Sequence, residues 1–314
     1  MIACSSDDAG TSSFEIDGSF TPTLPEAQVG PEDAAPLAST MRLAHLAPEL
    51  GALDFCYQAT GTGTFEGPVL GRGTTRGPDA GPSDAGVDAL DANPSTDASV
   101  SDAAVPNGLA YREVSRYLVI ETAGPVTIAL VSSGSTTCAN PLFVADVTLD
   151  PGKLVTIAAM GAANVEAGVG ALGLATFVDD RTAVTDKARV RIVHAAVTEP
   201  PVSVRAVSSK TVTIADGVMP RHVATSTTAA NVDLLGYATL DPLPSPASLA
   251  IVPTEVSDAE AGVAGWQSDT ADLGLSGSSL HTGFVLRGDS RPFEVVWCAD
   301  TITEGDRTAC IRVR

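Results

Sequence analysis

The 314 residues carry 38 Asp and Glu against 18 Lys and Arg, a formal net charge of −20. A field of that sign repels phosphate backbones and anionic headgroups, so neither nucleic acid nor electrostatic membrane docking is expected. Hydrophobic residues make up 44% but aromatics only 4%, so the cores should be aliphatic, and no apolar run reaches the roughly 18–20 residues of a membrane-spanning helix.

The chain opens "MIACSSDDAG". From Ser5 to Thr40 it carries seven acidic side chains, no Lys or Arg, and no apolar period. Residues 1–40 therefore read as a disordered acidic tether, unable to bury enough surface to offset its ordering entropy. Ile2-Ala3-Cys4 resembles the end of a bacterial lipobox, whose Cys becomes the lipidated first mature residue. That resemblance makes Cys4 the expected lipidation site, with a signal peptide upstream that start-codon choice would have removed. It implies an extracytoplasmic protein anchored at the outer membrane or cell surface.

Length is a prior for two domains, and the chain shows two copies of one pattern. "MRLAHLAPELGALDF", from Met41, and "VRIVHAAVTEPPVSV", from Val190, both read strand, Pro-bearing loop, strand with period two. Met41, Leu43 and His45 align with Val190, Ile192 and His194, and Arg42 aligns with Arg191. The first copy continues through "GLAYREVSRYLVIETAGPVTIALVSSG" and then "LFVADVTLDPGKLVTIAAMG". The latter reads as a β-hairpin turning on Asp150-Pro151-Gly152. These stretches resemble the DUF4397 family, in which an R-V-x-H-A strand leads through a Pro-bearing loop and a V-x-x-Y segment follows. Val114 and Tyr117 stand at the V and Y. The second copy shows "GVMPRHVATSTTAANVDLLGY" there, with His222 in place of a clear V-x-x-Y. The resemblance implies an extracytoplasmic β-sandwich, often in tandem and often in lipoproteins, and it brings no catalytic residues.

Further Val/Ile/Thr-rich runs recur at 116–120, 125–132, 142–149, 153–160, 172–178, 188–195, 201–208, 248–253, 283–287 and 293–298. The expected fold is all-β: two tandem antiparallel Ig-like β-sandwiches, at 41–180 and 188–314. Residues 71–108 form a low-complexity Asp/Ala/Gly insert in the first, read as a solvated loop rather than a calcium site. Asp179-Asp180 reads as linker charge at the boundary.

With Cys4 set aside, Cys56, Cys138, Cys298 and Cys310 remain, and four cysteines allow three pairings. Sequence order suggests Cys56–Cys138 and Cys298–Cys310, with Trp297 packed on the second bridge. That bridge would pin the C-terminal segment to the sheet as an edge strand. No C-x-x-C or zinc-finger spacing occurs, so no metal and no cofactor are expected. His45 and His194, at the same strand position in both copies, read as structural histidines rather than a shared metal site. Arg287-Gly288-Asp289-Ser290 spells an integrin-recognition tetrapeptide but reads first as a hairpin turn. The expected function is a non-catalytic, monomeric surface lipoprotein that contacts an envelope or surface protein or a glycan. The alternative is an extracytoplasmic hydrolase or metal-dependent enzyme with a site between the copies.

Overall fold

A computed structural model describes residues 38–59, 61–71, 108–165, 168, 170–225, 232–241, 247–255 and 265–313. Cys4, the tether and nearly all of the 71–108 insert lie outside them. Among the described residues every regular element is a strand.

The first seven strands are β1 (Ser39–Leu46), β2 (Leu53–Ala59), β3 (Leu118–Ile120), β4 (Gly124–Ser132), β5 (Phe143–Leu149), β6 (Leu154–Met160) and β7 (Gly173–Asp179). They form two sheets, β3-β1-β6-β7 and β2-β4-β5. Met41, Leu43, Val155 and Ile157 of one sheet meet Phe55, Ile128, Leu130 and Leu149 of the other in a single core. The aliphatic composition is thus what fills the space between layers.

The remaining strands are β8 (Ala188–His194), β9 (Val202–Val207), β10 (Thr211–Val218), β11 (Tyr237–Leu240), β12 (Ser248–Pro253), β13 (Trp266–Asp269), β14 (Leu280–Arg287), β15 (Phe293–Glu304) and β16 (Arg307–Val313). They form β11-β8-β14-β15-β16 and β10-β9-β12-β13. Their core sets Val190, Ile192, Val285 and Val295 against Val204, Leu249, Ile251 and Trp266. The strand orders repeat: β3-β1-β6-β7 matches β11-β8-β14-β15, and β2-β4-β5 matches β9-β12-β13. The second sandwich adds the edge strands β10 and β16.

Pairing is not antiparallel throughout. β1 runs parallel to β6 and β8 parallel to β14. Parallel neighbours need a crossover, and the intervening strands supply it by crossing into the opposite sheet. The expected hairpin on Asp150-Pro151-Gly152 is corrected for the same reason. The turn forms, with Gly152 at φ 69° and Lys153 N donating to Asp150 O at 3.1 Å. Yet β5 pairs with β4 and β6 with β1. The turn carries the chain between layers, and Val147 and Leu149 face the core from the side opposite Val155 and Ile157.

The two sandwiches meet back to back. The faces of β3-β1-β6-β7 and β11-β8-β14-β15-β16 that point away from their own cores share a third cluster. In it Ala44, Leu46, Ala158, Met160 and Phe177 pack on Val193, Phe284, Leu286 and Val296. Pro36–Arg314 is accordingly one compact unit, four sheets deep. β8 is buried at all seven positions because it has a covered face on each side.

The C-terminal hairpin strengthens this seam. β15 outruns the sheet, and at its tip Thr308 N donates to Val114 O at 2.9 Å and Arg116 N to Asp306 O at 3.0 Å. Arg307 Nε reaches Glu113 of the first sandwich at 3.0 Å. Cys298 and Cys310 lie directly opposite each other in the β15–β16 ladder and are disulfide-bonded.

Candidate functional site

The seam contains a buried polar cluster built twice. On β1, Arg42 lies opposite Thr156 of β6; on β8, Arg191 lies opposite Thr282 of β14. Thr156 faces Phe177, with Asp179 two residues on; Thr282 faces Cys298, with Asp300 two residues on. Tyr117, just before β3, and Tyr237, opposite Arg191, complete the two sets.

Each arginine reaches across the seam. Arg42 Nη2 lies 2.8 Å from Asp300 Oδ1, and Arg191 Nη2 donates to Asp179 Oδ1. Each threonine donates to the carboxylate of its own sandwich, Thr156 to Asp179 at 2.6 Å and Thr282 to Asp300 at 2.7 Å. Tyr117 also donates to Asp179, at 2.8 Å. The guanidiniums lie over the tyrosine rings, Arg42 at 4.8 Å from the Tyr117 centroid and Arg191 at 4.7 Å from that of Tyr237. Arg42, Arg191 and Asp179 have fully buried side chains.

Burial alone would pull Arg42 and Arg191 down. The facing carboxylates outweigh it, chiefly Asp300 for Arg42 and Asp179 for Arg191, and hold both above the ordinary arginine value. Burial pushes Tyr237 up to about 12, against the pull of Arg191, and also drives Tyr117 upward. Both arginines therefore stay charged and both tyrosines neutral at neutral pH, and two guanidiniums face two carboxylates across a dry interface. Asp179 is a correction to the sequence reading: it is a buried seam residue, not linker charge. Its neighbour Asp180 pairs with Arg189 at 2.8 Å.

Matched bridges mark the second tyrosine motif. Val114 bridges Ala44, and Val223 bridges Val193. The V-x-x-Y valine of the second sandwich is thus Val223, and an insertion moves its tyrosine to Tyr237. His222 sits beside that valine, exposed, with Nδ1 2.8 Å from Pro220 O.

His45 and His194 occupy matched positions on the core side of β1 and β8. His45 Nε2 donates to Gly51 O at 2.9 Å, and His194 Nε2 to Pro200 O at 2.8 Å. Each ring meets an aromatic edge to face, Tyr111 for His45 and Phe293 for His194. Both are buried, and desolvation lowers the pKa of each. Each holds the loop that follows its strand.

The cysteines pair Cys56–Cys138 and Cys298–Cys310, the chemistry of an oxidising, extracytoplasmic compartment. Cys56 and Cys138 join Ala129, Val131 and Phe65 in a small apolar cap on the outer face of β2-β4-β5. Beside it, the Asp54 carboxylate accepts the N–H groups of Phe55, Val69, Leu70 and Gly71 at 2.7–3.0 Å, fixing the chain where the insert departs. Trp297 does not pack on the second bridge. Adjacent strand residues face opposite ways, so Trp297 points into the second core, donating to Leu273 O at 2.8 Å, while Cys298 faces the seam.

At one end the seam opens into a cleft of about 210 Å³. The first sandwich contributes Leu46, Pro48, Glu49, Tyr111 and Val165; the second contributes Ala195, Val197, Leu286 and Arg287. This is the end where β1, β6, β8 and β14 all finish, and the His-held loops form part of its rim. The β14–β15 hairpin turns beside it through Gly288-Asp289-Ser290-Arg291. Arg287 and Asp289 are 74% and 79% exposed. Asp289 is held at 3.1 Å by Arg312, which also pairs with the buried Glu294 at 2.6 Å. The chain enters β1 at Ser39, the opposite end of these strands.

No curated protein matches the chain. Among solved structures, one of a "putative adhesin" from Bacteroides ovatus aligns over 87% of this chain and 95% of that one, at 9% identity and a TM-score of 0.21. A family model does match, from the insert through β3 to β8 and into β9: residues 85–205 fit the family described as a domain of unknown function, DUF4397.

Proposed function

We propose that the chain is a non-catalytic surface module of two duplicated sandwich domains, anchored through a lipid on Cys4, that presents its cleft end to a protein or glycan of the envelope or of another cell. The observation that carries this is polarity. The chain enters at Ser39, and the cleft, the His-held loops and the Asp289 turn gather at the far end of the same strands. The crossed ion pairs and the C-terminal hairpin hold the sandwiches as one body, so loops from both act as a single surface. A non-catalytic reading is favoured by the use of the histidines. Each of His45 and His194 is buried and spends its Nε2 proton on a backbone carbonyl.

Intact mass of native protein extracted from the producer's membranes tests the anchor, and acyl groups on Cys4 are expected. Crosslinking on intact cells, from a photo-reactive residue at Glu49 and from one at Asp146 as control, tests the surface. A discrete partner captured from Glu49 and not from Asp146 is expected. Unmodified, freely soluble native protein overturns the anchor, and equal capture from both positions overturns the cleft end as the contact surface.

A further inference from the structure

We infer that the fold carries tension between its ends, with β1 as a shear latch and Cys298–Cys310 as a covalent stop. The direction of that tension rests on the anchored reading above, but the strength of the latch does not. β1 begins at the N-terminal end of the unit. It runs parallel to β6 through seven paired positions, Thr40↔Leu154 to Leu46↔Met160. A pull at Ser39 draws β1 along its own axis, so all of these pairs are strained together rather than one after another. β1 also lies between β3 and β6, so two ladders resist the slide.

Arg42 adds ties across the ladder. It sits near the pulled end, donates to Thr156 on β6 at 2.8 Å, and pairs with Asp300 in the other sandwich at 2.8 Å. Sliding β1 would draw a guanidinium out of a dry site away from both partners. The strand therefore cannot leave without opening the seam.

The other end is closed by sulfur. β16 is parallel to β14 in sense, since each pairs antiparallel with β15, so its last residue, Val313, lies by Val295 at the cleft end. Ser39 and Val313 are thus at opposite ends of the strands, and a pull between them runs along the strand axes. Once three residues past Cys310 have been drawn off, the bond to Cys298 passes the force into β15. The non-covalent β1 ladder is then the element that fails first.

Single-molecule force spectroscopy on the full chain tests this. One arm pulls between the two termini. The second pulls between the N-terminus and a handle at Glu121, next to Ile120, which pairs with Ser39. That arm loads the β1–β3 ladder pair by pair. The first rupture in the terminal arm is expected at about twice the force of the peeling arm or more, because forced unfolding follows the barrier that the geometry imposes. Arg42→Met should lower the terminal force and leave the peeling force nearly unchanged. Equal forces in the two arms on the unmodified chain overturn the inference whether or not the variant folds. Acylation of Cys4 is measured separately by mass, so a failed anchor and a failed latch give different results.

Discussion

The cross-seam pair Arg42–Asp300 sets a stability cost that can be worked through. Asp300→Asn keeps the shape of the side chain and removes its charge, leaving the Arg42 guanidinium buried beside a neutral amide. Breaking a buried pair from one side costs about 3–5 kcal/mol, because the remaining ion has neither water nor partner. Asp179 still stands 3.8 Å from Arg42 Nε, so the lower figure, about 3 kcal/mol, is expected. In a cooperative unit of this size each kcal/mol moves the midpoint by about 2 °C, giving a fall of about 6 °C. Scanning calorimetry and urea titration at pH 7 read both quantities. The control is Arg42→Met with Asp300→Leu. Replacing the whole pair by apolar groups removes both desolvation penalties, so the double variant should lie within about 1 kcal/mol of the parent. With the single variants Arg42→Met and Asp300→Leu completing a double-mutant cycle, the coupling should be about 2 kcal/mol or more. An Asp300→Asn protein within about 0.5 kcal/mol of the parent, or additive single effects, refutes the picture of a dry charge cluster joining the sandwiches.

Other outcomes follow from the same structure. Burial lowers the pKa of His45, His194 and His281 below 6.5, so the unfolded chain binds more protons than the fold as pH falls through 6.5. This stability is complete above 6.5 and is lost below it. Midpoints measured from pH 8 to 5 should fall on the acid side, and a His45→Gln/His194→Gln protein should fall less steeply there. The Cys56–Cys138 bond spans 82 residues and Cys298–Cys310 spans 12; chain entropy assigns them about 4.5 and about 3 kcal/mol. Paired Ser substitutions compared in urea should preserve that order, and a larger loss at Cys298–Cys310 would mean that its hairpin contributes more than loop closure. Gly161 has φ 97°, and a Cβ there would lie 2.2 Å from Ala171 O. Gly161→Ala should therefore lower the unfolding free energy measured in urea by about 2 kcal/mol or more; a neutral result would show that Ala171 can shift.

Much of the architecture could be read from the residues because period two and turn chemistry act locally. The runs that became β4, β6, β8, β9 and β12, and the β14–β15 hairpin at Gly288-Asp289, follow from alternation and Gly/Asp placement alone. The seam does not. In "MRLAH" the alternation puts Met41, Leu43 and His45 on one face, and an arginine on the other face ordinarily signals water. Here that second face meets another sandwich, a contact that no local pattern encodes. Asp179 was hidden in the same way, since a carboxylate at the end of a strand looks like linker. The signal that could have found the cluster is the repeat itself. Aligning whole copies sets Arg42, Thr156 and Asp179 on Arg191, Thr282 and Asp300, and a charge repeated at matched strand positions is hard to explain as solvent decoration. The tyrosine escaped because an insertion separates Val223 from Tyr237. The parallel pairs escaped because they join strands far apart in sequence, where only the packing of the layers decides the neighbours.

The reach of the final hairpin over the first sandwich bears on how the molecule is made. Backbone groups at Val114 and Arg116 find their partners on Thr308 and Asp306, residues that leave the ribosome almost two hundred positions later. The earlier-made sandwich is left with an open margin at Val114 and Arg116 until β15 and β16 have been made. A chain cut short within β15 would thus carry its unpaired backbone groups near Glu113, in the part made first, rather than at the cut.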